Sequence, residues 1–167
     1  ELFGVTHHAW FKAPEGWPAI SPALLILWAP AGFRMTCYYY RGAYMDCLRG
    51  LDFLQSREEA DGARLGMWSR SQGGGLTLAT AALDSRLLAA VAEEPFLCNY
   101  PVSIDITTSP YSELSDYAGR HPDQRAQMLE TLAYFDCLNL AEEIRCPTLV
   151  NIGMLDETCP YRTVMPV

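Results

Sequence analysis

The chain has 167 residues, of which 50% are hydrophobic and 19% are charged, with a formal net charge of −8. A chain of this size and apolarity can bury a sizeable core, which excludes disorder and indicates one domain or a large part of one. Basic residues stand singly rather than in clusters, so the chain lacks the basic stripe that a nucleic-acid partner requires.

The first 35 residues form an atypical N-terminal segment with little periodicity. Its apolar run, 19–31, is interrupted by Pro22 and Pro30 and is shorter than the roughly 20 residues that a membrane span needs. We therefore predict no membrane segment and interpret the run as a core strand or a buried loop. The chain begins at Glu1 without a signal-peptide pattern, so we expect that processing or truncation removed the true start.

Beyond residue 35 the sequence predicts alternating helices and strands. Apolar residues at helical spacing predict an amphipathic helix over 41–57. A short strand at 64–68, a helix opened by glycines at 73–84 and a strand at 87–95 follow. The apolar stripe of the first helix comprises Ala43, Cys47, Leu48, Leu51 and Leu54. This alternation predicts an α/β fold with a mostly parallel sheet flanked by helices.

The pattern changes at 96–145, where helical sequences separated by prolines predict a helical insertion of three short helices. The apolar run 147–154 then predicts a buried strand that ends in the acidic turn LDETCP. We interpret 36–167 as a partial α/β domain, because a complete domain would continue with another helix and strand.

The cysteines are spread singly along the chain, without the paired CxxC spacing of a zinc site. This distribution favours buried free thiols over a disulfide scaffold and indicates a cytoplasmic setting. The cysteines are Cys37, Cys47, Cys98, Cys137, Cys146 and Cys159.

The stretch WSRSQGGG at 68–75 nearly matches the G-x-S-x-G elbow, in which a nucleophilic serine lies on a strained turn between a strand and a helix. Both flanking elements are predicted around Ser71. Ser69 stands in place of the first glycine of the motif. Crowding by its hydroxymethyl group is expected to add about 1 kcal/mol of strain to the turn. Ser71 is therefore the candidate nucleophile, and the backbone amide of Gln72 would face the oxyanion. A plain Gly/Ser turn is the alternative.

A serine nucleophile needs an acid and a histidine, which follow it in that order in α/β-hydrolases. Asp156 follows a predicted buried strand and is the candidate acid, with Glu157 as its neighbouring alternative and a solvated turn carboxylate as the other interpretation. His7 and His8 precede the serine, and His121 precedes the acid. We interpret all three histidines as non-catalytic, so the triad histidine is missing from the chain.

A family resemblance rests on four stretches: YYYRGAYMDCLRGLDFLQSREE, SQGGGLTLATAALDSR, EEPFLCNY and YFDCLNLAEEIRCPTLVNIGMLDETCP. Together, from about Tyr38 to Val164, they resemble the acetylxylan esterase and cephalosporin C deacetylase family, carbohydrate esterase family seven. The resemblance implies an α/β-hydrolase that removes acetyl groups from short xylo-oligosaccharides or an antibiotic through an acyl-enzyme, without metal or cofactor. It also implies a ring-like homohexamer.

Carried onto this chain, the resemblance implies Ser71 as nucleophile, Gln72 as the residue whose backbone amide helps to form the oxyanion hole, and Asp156 as triad acid. Ser69 and Arg70 stand where the family usually has small residues. The R-G-Q motif and the tyrosine that supplies the second oxyanion donor have no counterpart, and the histidine would lie beyond the end of the chain. We therefore expect a truncated member with little or no activity alone.

Two alternatives to an esterase remain open. The first is a non-catalytic fragment or pseudoenzyme that serves as an assembly or interaction module, because a sheet without its last strand exposes an edge and apolar surface. The second is a relative of the prolyl oligopeptidase-like peptidases, which also have a glycine-rich serine elbow. Gln72 favours the esterase, since those peptidases usually carry an aromatic residue at that position.

Overall fold

A computed structural model of the chain describes residues 39–108 and 110–167. The predicted N-terminal segment 1–35, with its apolar run and its two histidines, lies outside the described residues. The helices and strands are α1 (Tyr39–Gln55), β1 (Leu65–Arg70), α2 (Gln72–Leu83), β2 (Leu87–Glu93), α3 (Tyr100–Ile106), α4 (Ser112–Arg120), α5 (Arg125–Ala133), α6 (Cys137–Leu140), β3 (Thr148–Asn151) and α7 (Tyr161–Val164).

The three strands form one parallel sheet in the order β1-β2-β3. Helix α2 connects β1 to β2, and helices α3 to α6 lie between β2 and β3 along the chain. Helices therefore provide the long connections that parallel neighbours require. The structure confirms the predicted α/β class with a parallel sheet flanked by helices, and α1, β1, α2 and β2 match their predicted spans to within a few residues.

One face of the sheet packs against α2, whose small residues let helix and strands approach closely. Leu78 and Ala79 of α2 are 1% and 0% exposed, and Ala92 of β2 lies in the same hydrophobic cluster. A smaller cluster, which includes Leu51 and Leu65, joins α1 to the beginning of the strands. These contacts hold α1 and α2 against the sheet.

The predicted apolar stripe of α1 was wrong at Leu54, which is 41% exposed. Leu51 of that stripe is buried as predicted, and the other buried residues of α1 are Tyr40 and Tyr44, which the stripe did not include. Tyrosine can be buried when its hydroxyl finds a partner, and the Tyr44 hydroxyl donates to the Phe135 carbonyl oxygen at 2.7 Å. With this hydrogen bond Tyr44 can be buried, and the buried face of α1 therefore includes aromatic residues.

The prediction that the run 147–154 forms a buried strand was also wrong in its extent and burial. β3 covers only Thr148–Asn151, and Leu149 on it is 64% exposed. Leu149 shares a row across the sheet with Val91 and Trp68, and Trp68 is 65% exposed. None of the three belongs to either hydrophobic cluster, so the described residues cover one face of the sheet and leave this row open.

The region between β2 and β3 is helical, as its sequence predicts, but α3 was not foreseen. Its sequence contains β-branched residues, which favour strands. The helix forms because Pro101 lies in its first turn, where a missing N–H costs nothing. Asp136 also accepts hydrogen bonds from the backbone N–H groups of Asn99 and Tyr100 at 2.7 and 2.8 Å.

Among the residues that the structure describes, no helix is long and apolar enough to cross a membrane. The five cysteines in the described part of the chain are free, and Cys98, Cys137 and Cys159 are buried.

The Tyr44 hydrogen bond provides a test of how α1 is attached. Tyr44→Phe is expected to lower the free energy of unfolding by about 1 kcal/mol, because the buried hydrogen bond from the Tyr44 hydroxyl is lost. Tyr134→Phe is the control, since Tyr134 is 60% exposed. Urea unfolding followed by circular dichroism measures both, and equal stability of the two variants would contradict the assigned bond.

Candidate active site

The candidate nucleophile lies on a sharp turn between β1 and α2. Ser71 has φ 54° and ψ −120°, a left-handed conformation that a residue other than glycine rarely adopts. Its backbone N–H donates to the Glu93 carbonyl oxygen at 2.8 Å, and its carbonyl oxygen accepts from Phe96 N at 2.9 Å and Gly75 N at 3.0 Å. The side chain is exposed. This geometry is the strained strand-to-helix elbow that the motif predicts.

Glycines after Ser71 let the first turn of α2 pack directly on the segment that follows β2. A Cβ atom at Gly74 would lie 2.8 Å from the Glu93 carbonyl oxygen, and one at Gly75 would lie 2.1 Å from the Phe96 carbonyl oxygen. Neither distance allows a side chain. Ser69 lies opposite Ala92 in the strand register, and because Ala92 is small, the hydroxymethyl group that replaces the motif's first glycine fits there.

Backbone strain is concentrated around this elbow. Apart from glycine, the described residues with positive φ are Ser71, Glu94, Leu97 and Asn99. All four lie in the elbow or in the segment after β2 that binds it. Such conformations persist only where surrounding contacts enforce them, and they cluster at functional sites.

The candidate oxyanion donor is the backbone amide of Gln72, the first residue of α2. Its N–H has no acceptor among the described residues, as is usual for the first N–H groups of a helix, and the helix dipole makes this end positive. The Gln72 side chain is fixed by donating from Nε2 to the Tyr40 hydroxyl at 3.0 Å. The amide is therefore available beside Ser71.

The candidate acid lies in the turn after β3. The Oδ1 atom of Asp156 accepts hydrogen bonds from the backbone N–H groups of Thr158 and Cys159, both at 2.8 Å. Its Oδ2 atom has no hydrogen-bond partner in the described part of the chain. Glu157, the alternative acid, is exposed and makes no hydrogen bond with the described residues. The geometry favours Asp156, whose carboxylate is oriented and keeps one free oxygen.

Cys159 is a neighbour of both the nucleophile Ser71 and the acid Asp156. Its thiol is 2% exposed. Burial first, and then the charges of Asp156 and Glu94, raise the pKa of Cys159 to about 12, although a hydrogen bond with the Ser71 side chain lowers it. Both predicted site residues are thus neighbours of one protonated thiol. Sequence reasoning named neither Cys159 nor Glu94 as a site residue, although DETCP, read as the acid's motif, contained the cysteine.

No histidine of the described residues joins this site. The one that the structure describes, His121, follows α4, where its ring packs on Tyr117 with centroids 4.7 Å apart. Its backbone N–H donates to the Tyr117 carbonyl oxygen at 2.9 Å. In residues 39–108 and 110–167 no group of three or more His, Cys, Asp or Glu residues could hold a metal ion. The non-catalytic interpretation of the three histidines stays a prediction.

The parallel sheet, the serine elbow and the acidic turn beyond the last strand define a protein of the α/β-hydrolase class. Residues 32–167 match the family model for acetyl xylan esterase (AXE1), and the chain belongs to this family. A second family model, for the actinobacterial succinate dehydrogenase subunit SdhC, matches residues 2–49. That match covers less than a third of the chain, and most of it lies outside the described residues.

Individual proteins that the chain resembles carry names that agree with this family assignment. The chain is 33% identical to acetyl esterase Axe7A of Xylanibacter ruminicola over 126 residues, which are 75% of this chain and 28% of that protein. It is similar to the acetyl xylan esterase from Paenibacillus sp. R4, with a TM-score of 0.76 and 43% identity over 79% of this chain and 43% of the other.

A second solved structure, acetyl xylan esterase 1 from Thermoanaerobacterium sp. JW/SL YS485, also has a TM-score of 0.76. The two chains are 30% identical, and the similarity covers 90% of this chain and 48% of the other. The chain thus spans less than half the length of each of these three relatives.

Proposed function

We propose that the protein is a serine esterase of the acetylxylan esterase and cephalosporin C deacetylase type, which cleaves acetyl esters of xylo-oligosaccharides or similar small substrates. The conformation of Ser71 is the observation that carries the proposal. A serine with φ 54° and ψ −120° at the end of a parallel strand is strained, and the elbow exposes its hydroxyl at the edge of the sheet where substrates bind in α/β folds.

The residues have distinct roles in this proposal. Ser71 Oγ attacks the acetyl carbonyl carbon, and the Gln72 N–H donates a hydrogen bond to the oxygen that becomes negative. The Ser71 hydroxyl proton passes through the base to the sugar oxygen as the ester C–O bond breaks, so the sugar leaves as an alcohol. Water then attacks the acetyl-serine, which releases acetate and restores Ser71. Asp156 Oδ2 would hold a base in the correct orientation, since Oδ1 is already bound by two backbone N–H groups. The esterase needs no metal or cofactor in this scheme.

The base is the incomplete part of the site. In the described part of the chain no histidine lies beside Ser71 and Asp156, and loss of one triad member typically costs several orders of magnitude in rate. We therefore propose that the described residues alone acylate slowly and turn over poorly. Residual reactivity would come from the elbow and the Gln72 amide.

The proposal extends to a second reaction, to assembly and to the cellular setting. The resemblance supports deacetylation of an antibiotic as a second reaction and assembly into a ring-like homo-oligomer. The free state of the described cysteines supports a cytoplasmic setting, where thiols stay reduced.

The open sheet face favours a second function, that of a non-catalytic assembly or interaction module. Trp68 and Leu149 are each more than 60% exposed in one row of a parallel sheet, and parallel sheets are normally covered on both faces. Size-exclusion chromatography with light scattering tests it together with probe labelling: an assembled chain in which Ser71 is not labelled supports the module, whereas a clean monomer that resists aggregation argues against it.

Labelling with a fluorophosphonate probe tests the esterase. We expect slow covalent modification of Ser71, located by peptide mass spectrometry, and none in Ser71→Ala because the attacking oxygen is gone. Ser69→Ala is the matched control, since this serine lies two residues away, and it should label like the wild-type protein. The rate of hydrolysis of acetylated xylo-oligosaccharide should change in the same way: it should be lost in Ser71→Ala and kept in Ser69→Ala. Equal labelling of Ser71→Ala would refute the assignment.

A further inference from the structure

Glu94 and Arg70 form an ion pair beside the elbow, although neither belongs to the proposed triad. Arg70 is the last residue of β1 and directly precedes Ser71, while Glu94 directly follows β2. Arg70 Nε donates to Glu94 Oε2 at 2.6 Å, and Nη2 of the same guanidinium contacts the same oxygen. The pair therefore ties the nucleophile's strand to the segment after the neighbouring strand.

The other side of Glu94 reaches the turn that carries the acid. Its backbone N–H donates to the Asn151 carbonyl oxygen at 2.8 Å. A Cβ atom at Gly153 would lie 3.2 Å both from Glu94 Oε1 and from Asp156 Cβ, so the missing side chain of Gly153 lets the carboxylate lie against the acid turn. Asp156 N in turn donates to the Gly153 carbonyl oxygen at 3.2 Å.

Glu94 has a strained backbone conformation at this position. Its φ is 43°, which is costly for a residue with a side chain unless surrounding contacts impose it. The carboxylate is only 23% exposed, whereas the Arg70 side chain is 65% exposed. An ion pair so open to solvent contributes little to global stability, so stability alone does not account for a strained glutamate here.

We propose that Glu94, held by Arg70, is a positioning residue that sets the spacing between Ser71 and Asp156. The inference rests on the proposed esterase function and adds to it, since neither residue belongs to the triad or the oxyanion hole. The Arg70–Glu94 ion pair thus acts as a clamp between the two strand ends. Small displacements of reacting groups cost much in rate while changing folding little.

The test compares Glu94→Gln, Arg70→Met and the double variant in the full chain. We expect each single variant to label Ser71 about tenfold more slowly or worse, because Arg70 directly precedes Ser71 and its release displaces the elbow from which the residual reactivity comes, while the urea midpoint changes little. The double variant should be no slower than either single one, because both changes break the same contact. Arg70→Lys keeps a cation and should recover part of the rate.

Hydrogen exchange provides a readout that needs no reactivity. The backbone amides of Glu94 and Asp156 should exchange faster in Glu94→Gln, whereas amides in the distant helix α4 should not change. Glu59→Gln is the matched control, because it breaks an ion pair with Arg57 whose two side chains are 50% and 72% exposed and which lies away from the site. It should alter neither labelling nor exchange.

The two proposals fail in different ways. If the wild-type chain shows no labelling of Ser71, the proposed esterase function is wrong. The hydrogen-exchange data then test by themselves whether the Arg70–Glu94 ion pair positions the acid turn. Unchanged exchange at Glu94 and Asp156 in Glu94→Gln overturns the clamp, as does additive slowing in the double variant. A fall in labelling that matches a fall in global stability also overturns it, because the pair would then act only on folding.

Discussion

Gly75→Ala is expected to lower the free energy of unfolding by about 3 kcal/mol or more, because overpacking against rigid backbone is costly. The added Cβ would lie 2.1 Å from the Phe96 carbonyl oxygen and 2.9 Å from Leu97 Cγ. Phe96 cannot move freely, since its N–H donates to the Ser71 carbonyl oxygen at 2.9 Å. The clash therefore reaches the elbow, and any labelling of Ser71 should also be lost.

Gly50→Ala is the matched control for this substitution. Gly50 lies inside α1, and a Cβ atom there would have no neighbour within 4 Å. Alanine should stabilise that helix by about 0.5–1 kcal/mol, because glycine loses more backbone entropy on folding. Guanidinium unfolding compares the two variants. Equal effects at the two positions would show that the close approach of α2 to the segment after β2 is wrong.

Asp136→Ala is expected to have the second largest effect, a loss of about 3 kcal/mol or more, because three backbone donors lose their acceptor. Asp136 is 2% exposed. Its Oδ1 accepts from Asn99 N at 2.7 Å and Leu138 N at 2.9 Å, and its Oδ2 accepts from Tyr100 N at 2.8 Å. Asp136→Asn keeps one acceptor oxygen and should lose less. Thermal unfolding measures both variants.

A matched exposed carboxylate provides the control for Asp136. Asp116 lies on the exposed side of α4, and Asp116→Ala should change stability by no more than about 0.5 kcal/mol. If Asp136→Ala behaves like Asp116→Ala, the carboxylate does not hold the beginnings of α3 and α6.

The Asp136 comparison also has a pH dependence with a definite sign. Burial raises the pKa of Asp136, against the lowering effect of its three backbone hydrogen bonds. Folding therefore favours the protonated carboxyl, and this contribution is full below the unfolded pKa of about 3.9 and is lost as pH rises through the raised folded value. The stability of the wild-type protein relative to Asp136→Asn should fall over that window.

Local sequence was enough to predict the elements around the elbow. The glycines after Ser71, the apolar run before it and the helical spacing of the following residues depend on neighbours in the chain, so β1, α2 and β2 matched their predictions. The buried face of α1 did not, because the burial of Tyr44 depends on the carbonyl group of Phe135, which is distant in sequence. The roles of Ser71, Gln72 and Asp156 stay predictions.

The sequence by itself determined the alternation of helices and strands, the family and the elbow at Ser71, because periodicity, glycine placement and short motifs act over a few residues. Only the tertiary structure decided which contacts surround that serine. Cys159 lies beside Ser71 and Glu94 pairs with the preceding Arg70, because parallel strands end at one edge of the sheet, which brings together residues far apart in the chain. Among the described residues, the exposure of Trp68 and Leu149 likewise depends on which elements pack on each face of the sheet.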